Sequence, residues 1–106
     1  MEKVPYNSEV RHSEICDEIK DTYYKKNHTY GNSVSKCVDR YGMVGVASLI
    51  SIKHDRMVNL VKGADNLIPE EFLIDTLKDM ANYCIIAVTE LERLKSLEEN
   101  PDTKAL

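Results

Sequence analysis

Two stretches of the chain carry residue types and spacing suited to chemistry: Lys26-Asn27-His28-Thr29-Tyr30-Gly31-Asn32-Ser33 and Asp75-Thr76-Leu77-Lys78-Asp79-Met80-Ala81-Asn82-Tyr83. In the second, Asp75 and Asp79 stand four residues apart and Asn82 continues their edge three residues later, so a helix of about 3.6 residues per turn carries all three along one side. Glu71 extends that line by a further turn. Carboxylates beside an apolar stripe are costly to dehydrate unless a cation meets them, and Leu77, Met80 and Ala81 flank these. Upstream, Glu14, Glu18 and Asp21 form a similar acidic ridge. If the ridge Glu14, Glu18 and Asp21 faces the second line, four or more carboxylate oxygens surround one point, a hard-oxygen cage whose natural occupant is magnesium, an ion that in turn holds phosphates.

The first stretch is a kit for a nucleotide or a phosphorylated sugar. Lys26 offers an ammonium, Asn27 and Asn32 amide edges, Tyr30 a stacking face, Ser33 a hydroxyl and Gly31 close backbone approach. A helix starting just after it turns unpaired N–H groups toward an anion. Lys53, Arg56 and Lys62 add a cationic strip, and Asn82 an amide next to the acids. The plainer alternatives are a capped interhelical turn, which needs only Gly31 and Asn32, and solvated charged faces for the rest.

The elements that must position these groups are helices. Val10, Ile15, Cys16, Ile19 and Tyr23 predict a first helix from about Ser8 to Asn27, with Asn7 or Ser8 as its cap and the polar run as the turn that ends it. A second helix is predicted over Ser33 to Tyr41, closed by Gly42, and a third from about Val44 to Lys62, closed by Gly63. Gly45 weakens the first turn of the third by roughly 1 kcal/mol relative to Ala. Pro69, Glu70 and Glu71 open the fourth, where apolar residues from Phe72 to Leu94 recur at three- and four-residue steps until Asn100-Pro101. No segment alternates as a strand does. The expected fold is an all-α compact bundle of about four helices, the last one longest: residues 1–7 an extension, 8–97 a single helical domain, 98–106 a flexible tail.

Composition narrows the partners. At 106 residues, 42% hydrophobic and 30% charged, the chain falls in the globular range. A net charge of -4 without a Lys/Arg run argues against a duplex nucleic-acid binder, whose affinity comes largely from neutralising phosphates. No apolar run approaches the ~20 residues of a membrane span, and Met1 to Tyr6 lacks a signal-peptide core. Cys16, Cys37 and Cys84 have no CxxC spacing and read as reduced, mostly buried thiols of a cytoplasmic protein. The apolar surface of the fourth helix is large for so short a chain and points to a homo-oligomer.

With these residues in view, the chain resembles the nucleotide modification associated domain family, type one, a group of small proteins common in bacteriophages. The likeness runs from about Glu14 to Leu91 through an ICxEI-like stretch at Ile15 to Ile19, a KNxDYGNS-like run at Lys26 to Ser33, a KxxRxxxL-like stretch at Lys53 to Leu60 and the DTLxDxANY run at Asp75 to Tyr83. It implies a role in phage nucleotide metabolism or base modification in the host cytoplasm. Thr29 stands where the family has an acid within the run, and Ile52 where it has one before Lys53. The acidic lines also resemble, more distantly, those of the MazG-like all-α nucleotide pyrophosphohydrolases, in which Glu and Asp surround magnesium, and that likeness implies Glu14, Glu18, Asp75 and Asp79 as the metal shell. Three functions follow: a magnesium-dependent enzyme hydrolysing a nucleoside phosphate, a non-catalytic receptor that sequesters a nucleotide-derived signal, or a helical module for a protein partner.

Overall fold

The computed structural model describes residues 5–30, 32–63 and 70–100. The turn expected at Gly31, the helix start at Pro69 and the loose tail after Asn100 lie outside the described residues. Four helices account for nearly all of what is described: α1 (Ser8–Tyr30), α2 (Ser33–Tyr41), α3 (Val44–Val61) and α4 (Glu70–Glu99), the last being the longest. The chain divides into two compact units, Met1–Gly31 and Asn32–Leu106.

The first unit is built on α1. Asn7 caps it: its side-chain Oδ1 accepts hydrogen bonds from the backbone N–H groups of Glu9 and Val10 at 3.1 and 3.2 Å, and so satisfies donors that the first turn leaves unpaired. At its other end the helix overruns the expected boundary and stays helical through Tyr30. Lys26 to Tyr30 are therefore the last residues of a helix rather than members of a loop. Lys, Asn, His, Thr and Tyr are all tolerated there at a few tenths of a kcal/mol each, and Asn32, just before α2, takes the left-handed conformation at φ 59°.

The second unit packs α2, α3 and α4. Each helix contributes one buried aliphatic side chain: Val38, Val46 and Ile86, at 2%, 0% and 8% exposure. Burying such a side chain is worth about 1.5–3 kcal/mol. Gly42 makes the corner between α2 and α3 at φ 77°, and its N–H closes α2 by donating to the Val38 carbonyl at 2.7 Å. Gly45 has a different task. A Cβ built there would lie 2.6 Å from the Cys37 Sγ, so its missing side chain is what lets α2 and α3 approach. The helix-weakening residue seen in the sequence is a packing residue.

Two polar residues are enclosed in α4, Thr76 at 2% and Glu90 at 4% exposure. Thr76 donates to the Phe72 carbonyl one turn back, which meets its hydroxyl locally. The cysteines depart from expectation: Cys16 and Cys84 are exposed and Cys37 half-buried, because Cys16 and Cys84 stand on helix faces that no described residue covers. Among the described residues no helix is long and apolar enough to cross a membrane.

Candidate functional site

The seam between α3 and α4 brings together two sequence stretches singled out for their chemistry. The Lys53 ammonium donates to Asp79 Oδ2 at 3.0 Å, with the two side chains 26% and 31% exposed. One turn along α3, the Arg56 guanidinium sits over the Phe72 ring at 5.8 Å from its centroid. Lys53 and Arg56, three residues apart, are neighbours on the helix surface, so two cations stand side by side, one held by a carboxylate and the other by an aromatic face. Asn82 is half-buried on the edge of α4 that carries Asp79, and Asp75, one turn before Asp79, is exposed. Phe72 was not among the expected site residues. Its signal was its place one turn before the acidic line, but nothing local says that a guanidinium reaches it.

The remaining expected residues lie elsewhere in the chain. Asn32 and Ser33 are exposed at the start of α2 in the second unit; Lys26 is exposed and Asn27 half-buried near the end of α1 in the first. Tyr30 ends α1 in the backbone; its side chain and Gly31 lie outside what is described. A shallow open depression is lined by Tyr24, Lys25, Asn27 and His28, next to the expected Lys26.

The acidic ridge of α1 finds its cation on the same helix. Arg11 bonds Glu14 at 3.1 Å and Glu18 at 3.1 Å, and these bonds, Glu18's first, raise its pKa above the ordinary arginine value. That the acids need a positive partner is legible in the sequence; that Arg11, one and two turns back on the same helix, supplies it shows only in the structure. Among the described residues no three His, Cys, Asp or Glu side chains gather as a metal site would need. In the first unit Arg11 holds the Glu14 and Glu18 carboxylates, and in the second Lys53 holds that of Asp79.

The most enclosed charge among the described residues went unanticipated. Glu90, inside the second unit, accepts from the Ser35 hydroxyl at 2.9 Å and from Arg93 Nη2 at 2.8 Å. Arg93 also donates to Asp39 at 2.8 Å and to the Ser35 carbonyl at 3.4 Å. Its pKa is raised, first by the bonds to Glu90 and then by those to Asp39. The network clamps α4 to α2 and satisfies a carboxylate that would be costly alone. A signal existed: Glu90 interrupts the apolar row Ile86, Leu94 at one-turn spacing, with a cation three residues on.

The model of the family described as nucleotide modification associated domain 1 matches residues 26–91. No curated protein and no solved structure matches. The matched segment begins at Lys26 and takes in Lys53, Arg56, Phe72 and the whole run from Asp75 to Tyr83, while Glu14 and Glu18 precede it. It covers well over half of the 106 residues, and the chain therefore belongs to the nucleotide modification associated domain 1 family.

Proposed function

We propose that this protein binds a nucleoside phosphate at the seam of α3 and α4, in a role tied to nucleotide modification or metabolism in a phage-infected bacterial cell. One observation carries the reading: Lys53 and Asp79, from two stretches that the family likeness picks out separately, meet in a half-buried ion pair. An ammonium has three donors, and Asp79 takes one while fixing where the head lies. Phosphate oxygens accept from the others, and the Arg56 fork adds a second charge one turn away. Phe72, 41% exposed, offers a face on which a base stacks, and the Asn82 amide a hydrogen-bonding edge.

Binding without turnover is the finer reading we favour. Ile52 is 64% exposed beside Lys53, at the position where the family resemblance implies an acid. An apolar side chain there cannot take a proton from water or hold a metal, and the Glu14, Glu18 and Asp79 carboxylates pair with Arg11 and Lys53. A receptor that retains its nucleotide intact fits this arrangement better than a magnesium-dependent hydrolase of the MazG-like kind.

Calorimetric titration with ribo- and deoxyribonucleoside mono-, di- and triphosphates, with and without magnesium, tests both statements. The expected result is saturable binding of at least one nucleotide, with at least tenfold weaker affinity in Lys53→Ala. At a ligand concentration a hundred times the dissociation constant, the folded state gains about 2.7 kcal/mol. Binding by none of the panel overturns the nucleotide reading. Chromatography of the recovered ligand separates receptor from enzyme, and conversion to a shorter phosphate that Asp79→Ala abolishes overturns the receptor reading.

A further inference from the structure

Helix α4 is apolar on two sides, and one of them is uncovered. Its inner side carries Thr76, Ile86 and Glu90 against α2 and α3. On the other side Ile74, Leu77, Ala81, Cys84, Val88 and Leu91 follow one another at steps of three, four, three, four and three residues, the spacing of a heptad seam, over about 26 Å of helix. Ile74, Leu77, Val88 and Leu91 are 48%, 44%, 55% and 55% exposed, and Ile85 beside them 55%. Isolated exposed aliphatics are ordinary; a row in heptad register is a surface shaped for another helix.

We infer that this face is a homodimer interface in which α4 pairs with α4 of a second copy, antiparallel, about a two-fold axis passing between Asn82 and Tyr83. The register is self-complementary, as a two-fold interface must be. Ile74 of each copy falls opposite Leu91 of the other, Leu77 opposite Val88, and the small pair Ala81 and Cys84 face each other at the centre, where helices come closest. Charge selects the direction. The next seam positions outward are Glu70 and Lys95, both exposed. Antiparallel pairing sets the Glu70 carboxylate of one copy against the Lys95 ammonium of the other at both ends of the seam; parallel pairing sets Glu70 against Glu70 and Lys95 against Lys95. The interface is independent of the Lys53–Asp79 seam, which lies toward α3.

Sedimentation velocity of the full chain in reducing buffer at tens of micromolar tests the assignment. The expected mass is about twice the 12.1 kDa of the chain. Leu77→Glu gives the single-chain mass with an unchanged far-ultraviolet circular dichroism spectrum. Glu70→Lys and Lys95→Glu, at exposed positions that leave the fold intact, each raise the dimer dissociation constant at least tenfold, and the double exchange restores it. A single-chain mass for the unmodified protein overturns the proposal, as does a dimer indifferent to Leu77→Glu. A dimer broken by Leu77→Glu but not rescued by the double exchange overturns the antiparallel pairing.

Discussion

Lys53 on α3 and Asp79 on α4 stand 26 residues apart in the chain and 3.0 Å apart in space. The pair is neither fully wetted nor sealed. Its net stabilising effect is small for that reason, since exposed ion pairs are worth about 0.2–1 kcal/mol and water reaches both of these groups. That pair stands at the meeting point of two stretches of the family match.

Lys53→Ala is accordingly expected to lower unfolding free energy by no more than about 1 kcal/mol while weakening nucleotide binding at least tenfold. Urea denaturation and calorimetry on the same preparation separate the two effects. Asp79→Asn removes a negative charge beside the phosphate and tightens metal-free binding; weaker binding instead would mean that the carboxylate itself contacts the ligand or its metal.

Arg93→Ala strands Glu90, which is 4% exposed and keeps the hydrogen bond from the Ser35 hydroxyl. Breaking a buried pair costs about 3–5 kcal/mol, and because Arg93 is 30% exposed the loss belongs at or somewhat below the lower end. Equilibrium urea unfolding measures it. The pH dependence has a definite sign. The folded-state pKa of Arg93 is raised above the ordinary arginine value by its bonds to Glu90 and Asp39, so its contribution is fully present below that ordinary value and is lost only above it. The difference between Arg93→Ala and the unmodified protein attributable to arginine titration should stay constant from neutral to mildly alkaline pH.

Gly45→Ala pits helix propensity against space. Ala favours the helix by roughly 1 kcal/mol, but its Cβ would lie 2.6 Å from Cys37 Sγ, and overpacking costs about 1–3 kcal/mol. Net destabilisation is expected, and it should vanish or reverse when the same change is made in a Cys37→Ala background. Thermal unfolding of the four members of that cycle decides it.

Gly42→Ala fails for another reason. Nothing lies within 4 Å of a Cβ placed there, yet φ is 77°. The cost is backbone strain alone, about 1–2 kcal/mol, and no second-site truncation should relieve it. Denaturation with and without Cys37→Ala distinguishes this glycine from Gly45.

What the sequence determined by itself was everything whose cause lies within about one helical turn. The cap at Asn7, the span of α2 from Ser33 to Tyr41, the corner at Gly42 and the acidic opening of α4 are local effects of hydrogen bonding, φ preference and periodicity, and they read correctly from neighbours. The end of α1 was misread because a dense polar run looks like a loop, although only Gly31 and Asn32 within it resist a helix. Tertiary structure alone decided which cation meets Asp79, why Gly45 has no side chain, and that Glu90 is the enclosed carboxylate clamped by Arg93, Ser35 and Asp39. It also decided which half of the broad apolar stripe on α4 is covered. Periodicity reports that a residue shares a face with its neighbours; it cannot report what packs on that face, because the partner arrives from a distant part of the chain and its identity leaves no mark on local spacing.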